Sequence, residues 1–266
     1  MTVLLERPCT NGGTPFAAPM PELLQAPVAV RAAKGTPKRT TDTLIISDLH
    51  LGSHVCRADA LLRVLKSWKF RRLVILGDAF DNTKFKRLKR SHFKVLSHIN
   101  KLSGHRRNVE VVWVEGNHDA TFLRVVSAML GMSVHHEYTF HVGGRKYLAT
   151  HGHQFDTFMN NNPVITEIAS AFYLLVQRRD TRRMTVSRYL KKKSKLWLRL
   201  SDKQAIRAVR HARHIDADCV LCGHTHISSH RRNFGGIEYI NTGCWTDTPC
   251  QYVTIDENGA TLHEHQ

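Results

Sequence analysis

The chain has 266 residues, 42% of them hydrophobic, and a formal net charge of +17. That length allows one large domain or two small ones with a full interior, and no run approaches the roughly 20 apolar residues that a spanning helix needs. The charge predicts attraction to anions, whether nucleic acid, an anionic membrane surface or a phosphorylated substrate, without choosing among them.

Residues 1–40 read as a flexible tail. Six of the eight prolines precede Thr40, together with Gly12, Gly13 and Gly35, and no apolar period lasts. The segment lacks a basic stretch followed by an apolar core and a small-residue cleavage site, so no secretory signal is expected. A short amphipathic stretch around Leu23–Val30 can dock on the domain at 41–266.

Thr43–Ser47 is the first expected strand, and it ends at Asp48 and His50. Ala58–Trp68 has apolar residues at helical spacing, and Leu73–Leu76 is the second strand, ending at Asp78 and Asp81. Phe85–Leu102 is again helical, with a heavily basic outer face. Val109–Val114 is the third strand, followed by Asn117, His118 and a helix over Ala120–Leu130. Strand, polar tip and helix recur three times, which implies parallel strands with right-handed crossovers.

From Tyr138 the rhythm changes. Tyr138–Val142 and Lys146–Thr150 flank Gly143-Gly144, a hairpin signal, and the second of them ends at His151. Residues 155–214 form a long helical insert with segments at Pro163–Val176, Val186–Leu200 and Ala205–Ile215. Ala217–Cys222, Ile237–Asn241 and Gln251–Ile255 are expected to complete a second sheet, and His224 and His226 follow the first of these. Cys219 and Cys222 have CxxC spacing, but a strand aims them at opposite faces, so they are read as buried structural residues. Six cysteines in a chain this long make no disulfide framework.

Asp, Asn and His thus recur where apolar strands give way to polar turns, the end of an α/β sheet at which ligands bind. Asp48 and His50, and likewise His224 and His226, are one residue apart and can turn toward one ion or an ion pair. Asp78 can bridge two ions, and Asn117 offers a neutral oxygen where more negative charge would repel a phosphate. His151 supplies a further imidazole, with His153 as the alternative. Mixed N and O ligands suit Mn, Fe, Co or Zn better than Mg or Ca, and two such ions can clamp a phosphoryl group and activate water. His118, beside a ligand but directed differently, suits a general acid, and Asp81 can orient it. Taken singly, each of these residues would be an ordinary surface histidine or a turn aspartate; their repetition in one strand register is what points to a metal site.

The ordered motifs DLH, GDxxD, GNHD, HGH and GHTH resemble those of the calcineurin-like metallophosphoesterases over about residues 43–256. The resemblance implies a four-layered α/β/β/α sandwich. It implies one ion on Asp48, His50, Asp78 and His226, a second on Asp78, Asn117, His151 and His224, and His118 as acid with Asp81 as its partner. Phosphoprotein phosphatases of that superfamily carry Arg where this chain has Asn82, which argues against that activity. ISDLHLGS, HGHQFD before a helical insert, and GHTH followed by GGIEYINTGCW are more similar to the UDP-2,3-diacylglucosamine diphosphatase group. That group commonly has Arg at the His118 position and Glu at the Asp81 position, so a related substrate is expected.

Between Arg178 and Arg199 lie ten Lys or Arg residues and one acid, Asp180, beside the apolar Ala171–Val176. Such a pair suits a cap over a lipid substrate and a foot on an anionic membrane. Candidate substrate contacts are Asn82, Arg87, Asn160, Asn161, Arg182, Arg183, Lys191 and Lys195. The leading expectation is a two-metal phosphohydrolase, Mn-loaded, acting on a membrane-associated phosphate substrate. It would be a cytoplasmic monomer or homodimer that can sit on the inner face of the membrane. A soluble phosphodiesterase or phosphatase for nucleotides or nucleic acid is the alternative, and an inactive binding protein on the same fold is a lesser one.

Overall fold

The computed structural model describes residues 28–29, 38–81, 85–104, 108–130, 133–156 and 195–266. The expected helices at Pro163–Val176 and through most of Val186–Leu200 lie outside the described residues. So do Asn82, Asn160, Asn161, Arg182, Arg183 and Lys191.

In chain order the elements are β1 (Val28–Ala29), β2 (Arg39–Ile46), α1 (Ala58–Ser67), β3 (Trp68–Leu76), α2 (Arg90–Ser103), β4 (Glu110–Val114), α3 (Ala120–Leu130) and β5 (Val134–His135). After them come β6 (Glu137–Val142), β7 (Arg145–Thr150), α4 (Lys195–His214), β8 (Cys219–Cys222), β9 (Ser229–Phe234), β10 (Ile237–Asn241), β11 (Cys250–Asp256) and β12 (Gly259–His265). One sheet has the order β1-β12-β11-β2-β3-β4-β5 and the other β6-β7-β8-β10-β9. Strands β2 to β5 are parallel, as expected from the repeated rhythm.

The layers follow from period-2 burial. Leu44, Ile46, Leu73, Ile75 and Trp113 point outward into a core shared with α1 and α2. Their strand neighbours Ile45, Val74, Leu76, Val112 and Val114 point inward and meet Phe140, Tyr147, Leu221 and Ile240 of the second sheet. On that sheet's far face Leu148, Val220 and Tyr239 pack against Ala205, Ala208 and Ala212 of α4. This is an α/β/β/α sandwich. Strands buried on both faces read as unbroken apolar runs, which is why LVIL and CVLC were legible. Cys219 lies in the inter-sheet core and Cys222 on the opposite face.

Several details differ from expectation. β11 lies in the first sheet, antiparallel to β2 with Val253 opposite Ile45, and not in the second. β3 begins at Trp68, immediately after α1, because register with β2 pairs Arg39 with Trp68 and extends the ladder backward. The helix expected from Phe85 breaks into a single 3-10 turn and α2. His92 causes the break: its Nδ1 accepts from the Lys89 backbone N–H at 3.1 Å and holds the new start. β9 and β12 lacked an apolar signal, since β9 is a polar edge strand and β12 alternates polar and apolar residues. Within the expected tail, Val28 and Ala29 pair with His263 and Glu264 at the sheet edge, and β2 starts at Arg39. Among the described residues no helix is long and apolar enough to cross a membrane.

Candidate metal centre

The carboxyl ends of β2, β3, β4, β7 and β8 converge at one end of the sandwich, and the chain must turn sharply after each. Asp48, His50, Asp78, His224 and His226 all take positive φ, between 46° and 70°. Such backbone costs of order 1–3 kcal/mol per residue and persists where surrounding contacts over-determine it. Here they do. Asp48 N–H donates to the Gly77 carbonyl at 3.1 Å, and His50 N–H to the Asp78 carbonyl at 3.0 Å. The Asp78 carboxylate accepts from His118 N–H at 3.0 Å, and that of Asp48 from His224 N–H at 3.1 Å.

Eight of the expected site residues are brought together. His226 Nε2 lies 3.1 Å from Asp48 Oδ1 and 3.1 Å from His50 Nε2. Asp78 Oδ2 is 3.4 Å from His151 Nε2, 3.8 Å from His50 Nε2 and 3.9 Å from His118 Nε2. Asn117 Oδ1 faces His224 Nδ1 at 3.1 Å. Ligand atoms of Asp48, His50 and His226, of His50, Asp78 and His118, and of Asp48, Asp78 and His151 lie within 4.8 Å of one another.

These residues fit divalent ions. His151 donates from Nδ1 to the Leu76 carbonyl at 3.0 Å, which aims Nε2 at the carboxylates. That Nε2 is buried and makes no hydrogen bond. Burial pushes the His151 imidazole down, but Asp78 and Asp48 outweigh it and raise it to about 9. Burial likewise pushes the Asp48 carboxyl up, yet His226 and His151 hold it at about 2. His50 is lowered to about 3 by burial, against the pull of Asp78. His153, the alternative to His151, falls in none of the three ligand groups, and burial lowers it to about 4.

His118 is directed to the mouth, its side chain 45% exposed. Its Nδ1 contacts the backbone carbonyl of Asp81 at 3.2 Å, rather than the carboxylate expected as its partner. The Asp81 carboxylate instead pairs with Arg87 at 2.9 Å and stands 3.8 Å from His50 Nδ1. The physical reason is local: the Asp81 amide bonds the Leu51 carbonyl, which lays this turn alongside the β2 loop. Arg87 is therefore tied to the rim of the site. Lys195 starts α4, whose later residues reach the loop that carries His224 and His226: Trp197 Nε1 donates to the Thr225 carbonyl at 3.1 Å and Gln204 Nε2 to that of Gly223 at 3.3 Å.

Sequence reasoning missed three supporting residues. Asp119 accepts from Ala79 and Gly116 N–H at 2.6 and 3.0 Å and so ties the β3 and β4 tips together. Burial and the Asp78 charge raise its carboxyl to about 6. His92 Nδ1 also accepts from Gly52 N–H at 3.1 Å, and Asp156 Oδ2 lies 3.3 Å from His224 Nε2. The last residue of GNHD and the last of HGHQFD were the available signals.

Gly77 combines φ of +76° with a position where a Cβ would fall on the His151 ring. Gly77→Ala is expected to cost roughly 1–3 kcal/mol of stability, through strain and displacement of that ring. Bound metal per chain should fall with it, as read by elemental analysis beside thermal unfolding. Unchanged metal content would contradict the placement of His151.

The description of a calcineurin-like phosphoesterase superfamily domain matches residues 42–259. The chain belongs to that superfamily. No curated protein matches it. Wild-type Vps29 complexed with zinc, from Entamoeba histolytica, is similar in fold at 16% identity; the match covers 84% of this chain and 90% of that one, with a TM-score of 0.44. YfcE, a phosphoesterase from E. coli, is 18% identical over 80% of this chain and 87% of that one, with a TM-score of 0.43. In this calcineurin-like domain the matched span runs from within β2 to the start of β12 and encloses every residue of the candidate centre.

Proposed function

We propose that the protein is a two-metal phosphohydrolase whose substrate is a phosphoric anhydride or ester of a membrane lipid, UDP-2,3-diacylglucosamine or a relative of it. The observation that carries the metal assignment is the position of Asp78, whose carboxylate faces His50, His118 and His151 within 3.9 Å. Asp48, His50, Asp78 and His226 would hold one ion, and Asp78, Asn117, His151 and His224 the other. Bound there, the ions supply charge neutralisation for a phosphoryl group and a water of lowered pKa.

The remaining work falls to the chain's own groups. His118 donates from Nδ1 to the Asp81 carbonyl, which holds the ring with Nε2 toward Asp78, from where it can protonate the leaving oxygen. Arg87, paired with Asp81, lies at the rim where an anion would enter. Residues 82–109 contain no acid, and Lys86, Lys89, Arg90, Phe93 and Lys94 are exposed. Basic charge with an exposed aromatic suits an anionic lipid surface. The lipid substrate is otherwise supported by the HGHQFD and GHTH sequence context and by the basic insert.

The test is Mn-supplemented hydrolysis of UDP-2,3-diacylglucosamine beside bis-p-nitrophenyl phosphate and a nucleotide panel. Preferential release of UMP from the lipid is the expected result. Turnover of the diester or nucleotides alone would keep the phosphohydrolase and discard the lipid. No turnover of any of them with both ions bound would favour a binding protein.

A further inference from the structure

We infer that Asp156 is a positioning residue for the second ion site, one that sets the tautomer and the aim of His224; the inference rests on the two-metal reading above. Asp156 Oδ2 lies 3.3 Å from His224 Nε2. A carboxylate only accepts hydrogen bonds, so Nε2 carries the hydrogen. In the neutral ring Nδ1 then carries the lone pair and faces Asn117 Oδ1, 3.1 Å away. Two acceptors at that separation repel unless a cation stands between them. Both side chains of the His–Asp pair are shielded, at 4% and 9% exposure.

The rest of the loop is already fixed. His224 N–H donates to the Asp48 carboxylate, and the carbonyls on either side of it accept from Gln204 and Trp197 of α4. What these bonds leave open is rotation of the ring, and that is the freedom Asp156 removes. Asp156 immediately precedes residues 157–194, and α4 follows them. Both described flanks of the insert therefore meet at the His224 loop, Asp156 at the imidazole and α4 at the carbonyls on either side.

Calorimetric titration of the metal-free full chain with Mn²⁺ tests this. In Asp156→Ala one of two binding events should weaken by about 10–100-fold, with the other event and the metal-free unfolding midpoint unchanged. Asp156→Asn retains an acceptor oxygen and should fall between Ala and the parent. In a His224→Ala background, Asp156→Ala should change nothing further. Unaltered affinity in Asp156→Ala would overturn the inference. So would Asp156→Asn losing the site as fully as Ala, or a further loss in the His224→Ala background, since either makes Asp156 a ligand in its own right. A parent chain that binds no Mn²⁺ would overturn the two-metal reading and this inference together, a result distinct from a silent Asp156.

Discussion

Asp78→Asn is expected to lower turnover by about 10³-fold or more, equivalent to roughly 4 kcal/mol of barrier, and to strip metal from the chain. Burial alone would push this carboxyl up. His151, His118 and His50 outweigh it and hold Asp78 well below the ordinary carboxylate range. The carboxylate form is therefore the one favoured in the fold at neutral pH. The amide keeps the size of the side chain and an oxygen that can accept from His118 N–H, so the β3 tip should hold its shape. What disappears is the charge shared by both proposed ions. Metal content per chain and kcat with excess Mn²⁺ are the measurements. Full metal content with turnover within about tenfold of the parent, or some 1.4 kcal/mol, would remove Asp78 from the bridging position.

His118→Asn is expected to lower kcat by about 10²–10⁴-fold on a substrate with a poor leaving group while leaving metal content intact. Its Nε2 lies 3.9 Å from Asp78 Oδ2, close enough that a ligand role must be tested rather than assumed. Its ring, by contrast, opens to the mouth, and Nδ1 is engaged by the Asp81 carbonyl. The leaving group separates the two roles. p-Nitrophenolate departs without a proton, so the deficit should shrink on bis-p-nitrophenyl phosphate. Loss of metal, or an equal deficit on both substrates, would count against the acid. A companion change, Asp81→Ala, should barely disturb the His118 contact, because that contact is to the main chain.

Much of the fold was legible because the strands are buried on both faces. LVIL, VVWV and CVLC have no polar interruption, and the helix over Ala120–Leu130 was read at its observed limits. Strands that relied on partners for their burial were not legible. SHRRNF becomes β9 only because β10 offers an edge, with Gly235-Gly236 turning between them. The interruption before α2 depends on His92, whose ring bonds both Lys89 and the distant Gly52. No local propensity reveals a bond across 40 residues.

The sequence by itself determined which residues stand at the strand ends, because hydrophobic runs and turn chemistry are local properties. It thereby named Asp48, His50, Asp78, Asn117, His118, His151, His224 and His226. Only the tertiary structure decided which atoms face one another. It put β11 beside β2 in the first sheet, selected His151 over His153 for the ligand groups, gave His118 the Asp81 carbonyl as its contact, and brought Asp156 to His224. Those outcomes depend on register and on contacts distant along the chain, where small differences in packing select among partners that the sequence allows equally.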